Sequence, residues 1–311
     1  MSPRKNIQEI LPELFFIQRG FLNANHFVYR GDPVVLIDTG YLGDLEETRQ
    51  LLACLGIDFS QVGLIVNTHC HCDHVGANQV IQQESGCATA LHYIGQHFIA
   101  TRDDWATWWR YYNQEARFFQ ATHGLQDLQE IELGCYSFQV LYTPGHSADG
   151  LVLYHPQEKI LLSSDTLWEN DVAAITERVE GSRALFSMQE SLQRLQGLEV
   201  QMVYPGHGAA FTAYQAALNK AQAKVGRYLQ DKKSLGRDQI KKLLVYTLLM
   251  HRQMPEQKFF QHLMQTHWFP ETVELYFQGG YEEAYQSNMQ ALLDKGAIYR
   301  KAGCLYPGVA P

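Results

Sequence analysis

The run Thr68-His69-Cys70-His71-Cys72-Asp73-His74 places three imidazoles and a carboxylate within six positions, directly after the apolar stretch Leu64-Ile65-Val66. Neutral imidazole is the commonest protein metal ligand, and a carboxylate beside three of them suits a borderline-hard divalent ion such as zinc. In an extended loop, side chains two apart point the same way, so His69 and His71 can grip one ion together. Asp73 and His74 are adjacent and diverge, which serves a second ion nearby. The heptapeptide by itself suggests two metals.

A metal centre that does chemistry needs at least three protein ligands per ion and an open position, so the rest of the chain must supply more. Three later segments do. Thr143-Pro144-Gly145-His146-Ser147 follows the strand-like Phe138-Gln139-Val140-Leu141-Tyr142, and Lys159-Ile160-Leu161-Leu162-Ser163-Ser164-Asp165 is a short apolar strand ending in a carboxylate. Val200-Gln201-Met202-Val203-Tyr204-Pro205-Gly206-His207-Gly208 repeats the order of strand, Pro-Gly and His. Each candidate sits just past a strand, where α/β folds gather site residues because buried strands fix the geometry and the loops expose it.

These motifs resemble the metallo-β-lactamase superfamily, whose HxHxDH signature reads here as His69, His71, Asp73 and His74. His146, Asp165 and His207 match the family's remaining metal motifs in order. Val35-Leu36-Ile37-Asp38-Thr39-Gly40 resembles its first motif, in which the aspartate, here Asp38, supports the ligands from behind. The resemblance spans about residues 10 to 210. It implies an α/β fold, a four-layer αββα sandwich with a two-metal centre at one edge. Metal one would be held by His69, His71 and His146, metal two by Asp73, His74 and His207, with Asp165 bridging. The cofactors implied are two divalent ions, zinc first, with iron and manganese as alternatives. Two cations sharing one water lower its pKa from 15.7 towards about 7, which makes hydroxide the expected nucleophile. Asp73 is expected to orient it and take its proton. The flavodiiron branch has Glu where His71 stands, so this chain departs from that electron-transfer subgroup.

The chain has 311 residues, with 46% hydrophobic and 19% charged side chains, a globular composition that excludes disorder. No secretory signal is visible in the polar start from Met1 to Gln8, and the longest apolar stretch, Leu243 to Met250, is too short to span a bilayer. A cytoplasmic protein with no membrane partner is expected. Six scattered cysteines show no disulfide framework. Cys54 and Cys87 read as small buried hydrophobes, and Cys70 and Cys72 face away from the ligands by alternation.

The net charge of −8 is unevenly spread. Residues 1 to 215 carry 12 basic and 25 acidic side chains, and residues 216 to 311 carry 13 and 8. This shift predicts a catalytic domain over 1–215 and a small, mostly helical domain over 216–311. Thr212 is the expected N-cap of a helix reaching about Leu229, followed by periodic stretches near Gln239 to Arg252 and Glu256 to His267. A further helix near Tyr281 to Asp294 leads into two short strands about a Lys301-Ala302-Gly303 turn. Helices followed by a hairpin look like a winged-helix domain. Glu282, Glu283 and Asp294 on the last helix oppose phosphate, so a cap or dimerisation module is favoured over duplex DNA binding. A basic helix with Lys220, Lys224, Arg227, Lys232 and Lys233 reads as a solvated face or an edge for an anionic substrate or RNA.

An aromatic-rich helical insertion is expected at about residues 94–130. Trp105, Trp108, Trp109, Tyr112, Ala116 and Phe119 follow at helical steps. They form either a lid offering an apolar pocket or a stripe packed on the sandwich or a second subunit. Phe21 and Leu22 are candidates for the opposite wall, and Trp168 for an approach beside Asp165. The other histidines, His26 and His92 among them, show no ligand spacing and stay outside the site.

The first functional reading is a metal-dependent hydrolase of an ester, thioester or lactone with an apolar moiety. The Thr-Pro-Gly-His-Ser and Pro-Gly-His-Gly contexts resemble the hydroxyacylglutathione hydrolase group. After Asp165, however, stands Thr166-Leu167-Trp168-Glu169, without that group's Gly-Cys-Gly-Arg-type continuation. The second reading is a phosphodiesterase or endoribonuclease on single-stranded RNA, since the layout also resembles one endoribonuclease branch. The third is a non-enzymatic metal-binding sensor.

Overall fold

The computed structural model describes residues 6–310. Seven strands form the first sheet in sequence order: β1 (Ile7–Leu11), β2 (Leu14–Ile17), β3 (His26–Tyr29), β4 (Val34–Ile37), β5 (Val62–Val66), β6 (Ala88–His92) and β7 (His123–Leu125). The first four pair antiparallel and the last four parallel. The second sheet contains β8 (Glu130–Leu133), β9 (Tyr136–Tyr142), β10 (Leu151–His155), β11 (Ile160–Ser164) and β12 (Met202–Pro205), antiparallel except for the β11–β12 pair.

Alternation of side chains along these strands builds the layers. Phe16, Val35, Ile37 and Val66 from the first sheet meet Phe138, Val140, Leu153 and Leu162 from the second in one buried core. The intervening residues face outward: Phe15, Val28, Leu36 and Ile65 pack under α1 (Leu45–Ala53) and α3 (Asn78–Ser85), which flank the one-turn α2 (Cys72–Val75). On the other side Leu141, Val152, Leu161 and Val203 pack under α6 (Ala184–Leu195) and α7 (Tyr214–Gln230). Parallel pairs require a crossover, supplied by α1 and α3, by α4 (Tyr93–Thr101) after β6, and by α6 between β11 and β12. The result is the αββα sandwich, with the short α5 (Glu177–Glu180) on the chain between β11 and α6.

The chain continues through α8 (Lys232–His251), β13 (Met254–Pro255), α9 (Glu256–Leu263), α10 (Trp268–Phe277), α11 (Tyr281–Asp294), β14 (Ile298–Lys301) and β15 (Cys304–Pro307). The three strands pair in the order β13-β15-β14. Their helices bury a second core around Leu244, Phe259, Trp268, Phe269 and Leu305. Two local expectations need correction. Thr212 does not cap α7, whose N-cap is Ala213 with no side-chain hydrogen bond. The aromatic segment is not helical beyond Thr101: residues 103–113 are a series of turns and 114–122 irregular. Asp103 Oδ1 accepts from the amides of Trp105 and Ala106 at 3.1 and 2.9 Å, and Trp108 and Asn113 adopt left-handed backbone (φ 67° and 53°). A short side chain that bonds the backbone locally offers it an alternative to the helix.

Candidate metal centre

Five strand ends converge at one edge of the sandwich. β4 delivers Asp38, β5 the run His69 to His74, β9 His146, β11 Asp165 and β12 His207. The structure brings all seven candidate ligands together, each buried. They form three overlapping groups whose donor atoms lie within 4.8 Å of one another: His69, His71 and His146; His69, His74 and Asp165; Asp73, His74 and His207. No cysteine belongs to any of them. Asp165 Oδ2 is central, 3.3 Å from His146 Nε2 and 3.6 Å from both His74 Nε2 and His207 Nε2.

Two glycines make this approach possible. A Cβ on Gly206 would stand 2.1 Å from Asp165 Oδ1, so only glycine lets the Pro-Gly-His turn pass the carboxylate. Gly145, at φ 144°, lies where a Cβ would meet the Met188 backbone of α6 at 2.6 Å. Both Pro-Gly-His motifs thus owe their glycine to close backbone packing beside a ligand.

Each imidazole is held through one nitrogen. His74 Nδ1 donates to Asp38 Oδ2 at 2.8 Å, while Asp38 accepts from the Thr68 amide at 2.9 Å and its hydroxyl at 2.7 Å. His146 Nδ1 donates to the Ala174 carbonyl at 2.6 Å, and His207 Nδ1 to that of Gly20 at 3.2 Å. His69 Nδ1 meets Thr68 Oγ1 at 3.2 Å, and His71 Nε2 faces Glu180 Oε1 at 3.4 Å. Such partners fix tautomer and ring orientation, leaving the other nitrogen's lone pair aimed inward. His71 Nδ1 and His146 Nε2 face each other at 3.0 Å, and His69 Nε2 and His74 Nε2 are buried with no hydrogen-bond partner. An orphaned buried polar atom costs about 1–3 kcal/mol, a cost that packing alone does not explain and a bound cation removes. The donor set fits divalent metal.

Charge follows the same plan. Burial, reinforced by the neighbouring imidazoles, holds His69 and His71 well below the usual histidine range, and burial also lowers His146. These three offer neutral nitrogen. Burial opposes protonation of His74 and His207 too, but the carboxylates around them outweigh it and raise both. Asp165 is held low by His207, His74 and His146 in spite of its burial.

Sequence reasoning missed Glu180, the last residue of the one-turn α5. Its buried carboxylate accepts from Trp108 Nε1 and from the Ala148 amide, both at 2.7 Å, and faces His71. Burial pushes it up to about 8, with those donors pulling it back. A lone glutamate in Glu-Arg-Val-Glu carries no spacing signal that could have revealed it.

A cavity of about 370 Å³ opens on the centre, and Phe21, Trp108 and Trp168 stand on its wall beside Asp73, His146, Asp165 and His207. Trp108 stacks on His71 with ring centroids 3.8 Å apart, and Trp168 meets His207 edge-on at 5.3 Å. Leu22, Trp105, Trp109 and Tyr112 do not line it, which corrects the sequence reading. Leu22 and Trp109 are buried with Cys70, Cys72 and Phe119. Trp105 packs edge-on against His267 of the C-terminal half, and Tyr112 is bonded to Thr176. The aromatic segment is therefore mainly a packed seam, with Trp108 its one aromatic side chain on the cavity wall, where Gln114 also stands. Cys54, expected buried, is only half-buried.

Residues 19–207, more than half of the chain, match the metallo-beta-lactamase superfamily model. The chain is 28% identical over 226 residues to a probable metallo-hydrolase of Bacillus subtilis, covering 62% of this chain and 70% of the relative. It is 27% identical over 233 residues to an acyl-coenzyme A thioesterase of Bos taurus, covering 64% and 80% respectively. A solved metallo-beta-lactamase family protein from Thermus thermophilus superposes with a TM-score of 0.60 at 20% identity, covering 96% of this chain and all of its own. That likeness is one of fold.

Proposed function

The chain belongs to the metallo-β-lactamase superfamily, and we propose that it is a binuclear metal-dependent hydrolase whose substrate is a thioester with an apolar acyl group. The observation that carries this reading is the arrangement of five imidazoles, each held through one nitrogen and offering the other to a shared centre. His69, His71 and His146 would hold one ion, and Asp73, His74 and His207 the second, with Asp165 between them. When bound, zinc ions there supply acidification of a water molecule towards neutral pH and polarisation of the acyl oxygen. No helix among the described residues is long and apolar enough to cross a membrane.

The chain's own residues account for orientation and exclusion of water. Asp73, its Oδ2 3.3 Å from His207 Nε2, lies on the cavity wall where it orients the attacking water and accepts a proton. Asp38 fixes the tautomer of His74, and Glu180 turns His71 while tying it to Trp108. Trp108, Phe21 and Trp168 give the acyl group an apolar surface against the ligands. Thioesters are preferred over other esters because the relative from Bos taurus, an acyl-coenzyme A thioesterase, is similar over 64% of this chain. Incubating the zinc-loaded protein with acyl thioesters, lactones and short single-stranded RNA tests the reading. Thioester hydrolysis lost on chelation is expected, and RNA cleavage without turnover of any ester class would overturn it.

A further inference from the structure

The cavity does not end at the metal ligands. One face of α8 runs along it, presenting Lys241, Lys242, Val245, Tyr246 and Leu249 at helical steps. Leu249 and Tyr246 pack with Cys70 and Cys72, which marks the metal end of the helix. Lys241 precedes Leu249 by eight residues, about 12 Å along the axis at 1.5 Å per residue. At that far end Lys224 of α7 and Lys295, just after α11, complete a rim of four lysines. Val245, with Leu292 from α11, supplies apolar wall.

Two of these lysines are already matched. Lys224 pairs with Asp171 and Asp238, and Lys242 pairs with the same two carboxylates and the Val172 carbonyl. Lys241 and Lys295 have no carboxylate within 4.0 Å among the described residues. Half-buried Lys241 has its ammonium held low first by burial and then, against the pull of Asp238, by Lys295 and its other cationic neighbours. Four lysines against two carboxylates leave a local excess of two positive charges on a chain whose net charge is −8. Low-dielectric walls focus such a field on whatever enters.

Resting on the thioesterase reading, we infer that Lys241 and Lys295 bind the phosphate of a phosphorylated thiol carrier, with the thioester carbon at the metal end of the same cavity. Two unpaired ammonium groups act as point charges suited to a doubly charged phosphate, and no arginine fork stands on the wall to favour a carboxylate. Hydrolysis breaks the carbon–sulfur bond, puts the oxygen of water on the acyl carbon and a proton on the departing sulfur. The products are a carboxylic acid and the phosphorylated thiol, with no redox partner.

The test uses the zinc-loaded full chain and its Lys241→Ala/Lys295→Ala double variant. Binding is measured for S-methylated phosphopantetheine and S-methylated pantetheine, which differ only in the phosphate. The wild type is expected to prefer the phosphorylated probe by about tenfold or more, and the variant to lose that preference. In turnover, KM for an acyl phosphopantetheine should rise about tenfold in the variant with kcat retained, while the same acyl group on N-acetylcysteamine is unaffected. Equal affinity of the wild type for the two probes would overturn the inference whether or not thioesters are hydrolysed. So would displacement of the probe by a short single-stranded RNA that is itself cleaved. Phosphate-dependent binding without turnover of any thioester would instead sink the hydrolase reading and leave the phosphate site standing.

Discussion

The two ends of the cavity are built by different means. At the metal end, four strand ends of the sandwich deliver the candidate ligands and a fifth delivers Asp38, which with Gly20, Ala174, Thr68 and Glu180 pins their rings. At the far end, lysines from α7, α8 and the end of α11 meet only because the C-terminal helices fold back over the sandwich edge. Strand ends give a rigid constellation for the reacting centre, while helix faces give an adjustable rim for the carrier. The difference predicts that the two ends fail separately.

The largest expected effect is at Asp165, which stands among His74, His146 and His207. Asp165→Ala should remove at least one metal and lower kcat/KM by about three orders of magnitude. Affinity for the phosphorylated probe should be unchanged; parallel loss of both would erase the separation. Next comes Asp38→Ala, which frees His74 to rotate and should weaken metal binding by about 10–100-fold in a competition titration, with the fold intact by circular dichroism.

Trp108 lies between the two ends in character, belonging to the packed aromatic seam yet touching His71 and Glu180. Trp108→Ala should reduce kcat/KM for long acyl chains by about tenfold and for acetyl thioesters much less. Trp108→Phe keeps a ring on His71 but removes the donor to Glu180, so it should alter metal affinity more than chain-length preference. The reverse pattern would place Trp108 with the acyl pocket and remove its bond to Glu180 from the support of His71.

The smallest effect concerns stability away from both ends. His92 stacks on Tyr142 at 4.2 Å, and burial lowers it from 6.5 to about 4. Below pH 6.5 the unfolded chain binds this proton and the folded chain does not, so the contribution is complete above pH 6.5 and lost as pH falls towards 4. His92→Phe keeps the stacking and should flatten the fall of the urea midpoint over that range. An unchanged slope would remove His92 from the acid response.

What was legible in the sequence follows the same division. Metal ligation restricts residue type and demands short spacing, so His69, His71, Asp73 and His74 announced themselves, and strand-then-Pro-Gly-His marked His146 and His207. Strands were legible where a short apolar run precedes a candidate ligand, as at Leu64 to Val66, Phe138 to Tyr142 and Ile160 to Ser164, while the division of their side chains between the inner core and the helix layers came from the structure. Helix α11 and the final hairpin fell where periodicity and the Lys301-Ala302-Gly303 turn put them. Helix α10 did not, since Pro270 reads as a breaker and only its place in the first turn, where the missing amide has no partner to lose, lets it stay. The aromatic steps from Trp105 to Phe119 imitated a helix that the Asp103 side chain and two left-handed residues prevent. Glu180 and the pairing of Lys241 with Lys295 were invisible because each acquires meaning from an element far away in sequence.

One measurement bears most directly on the whole account: zinc titrated into the metal-free protein while hydrolysis of an acyl phosphopantetheine is followed. Activity should rise with added metal and saturate at two equivalents per chain. Hydrolysis already complete without metal, or none at any loading, would contradict it.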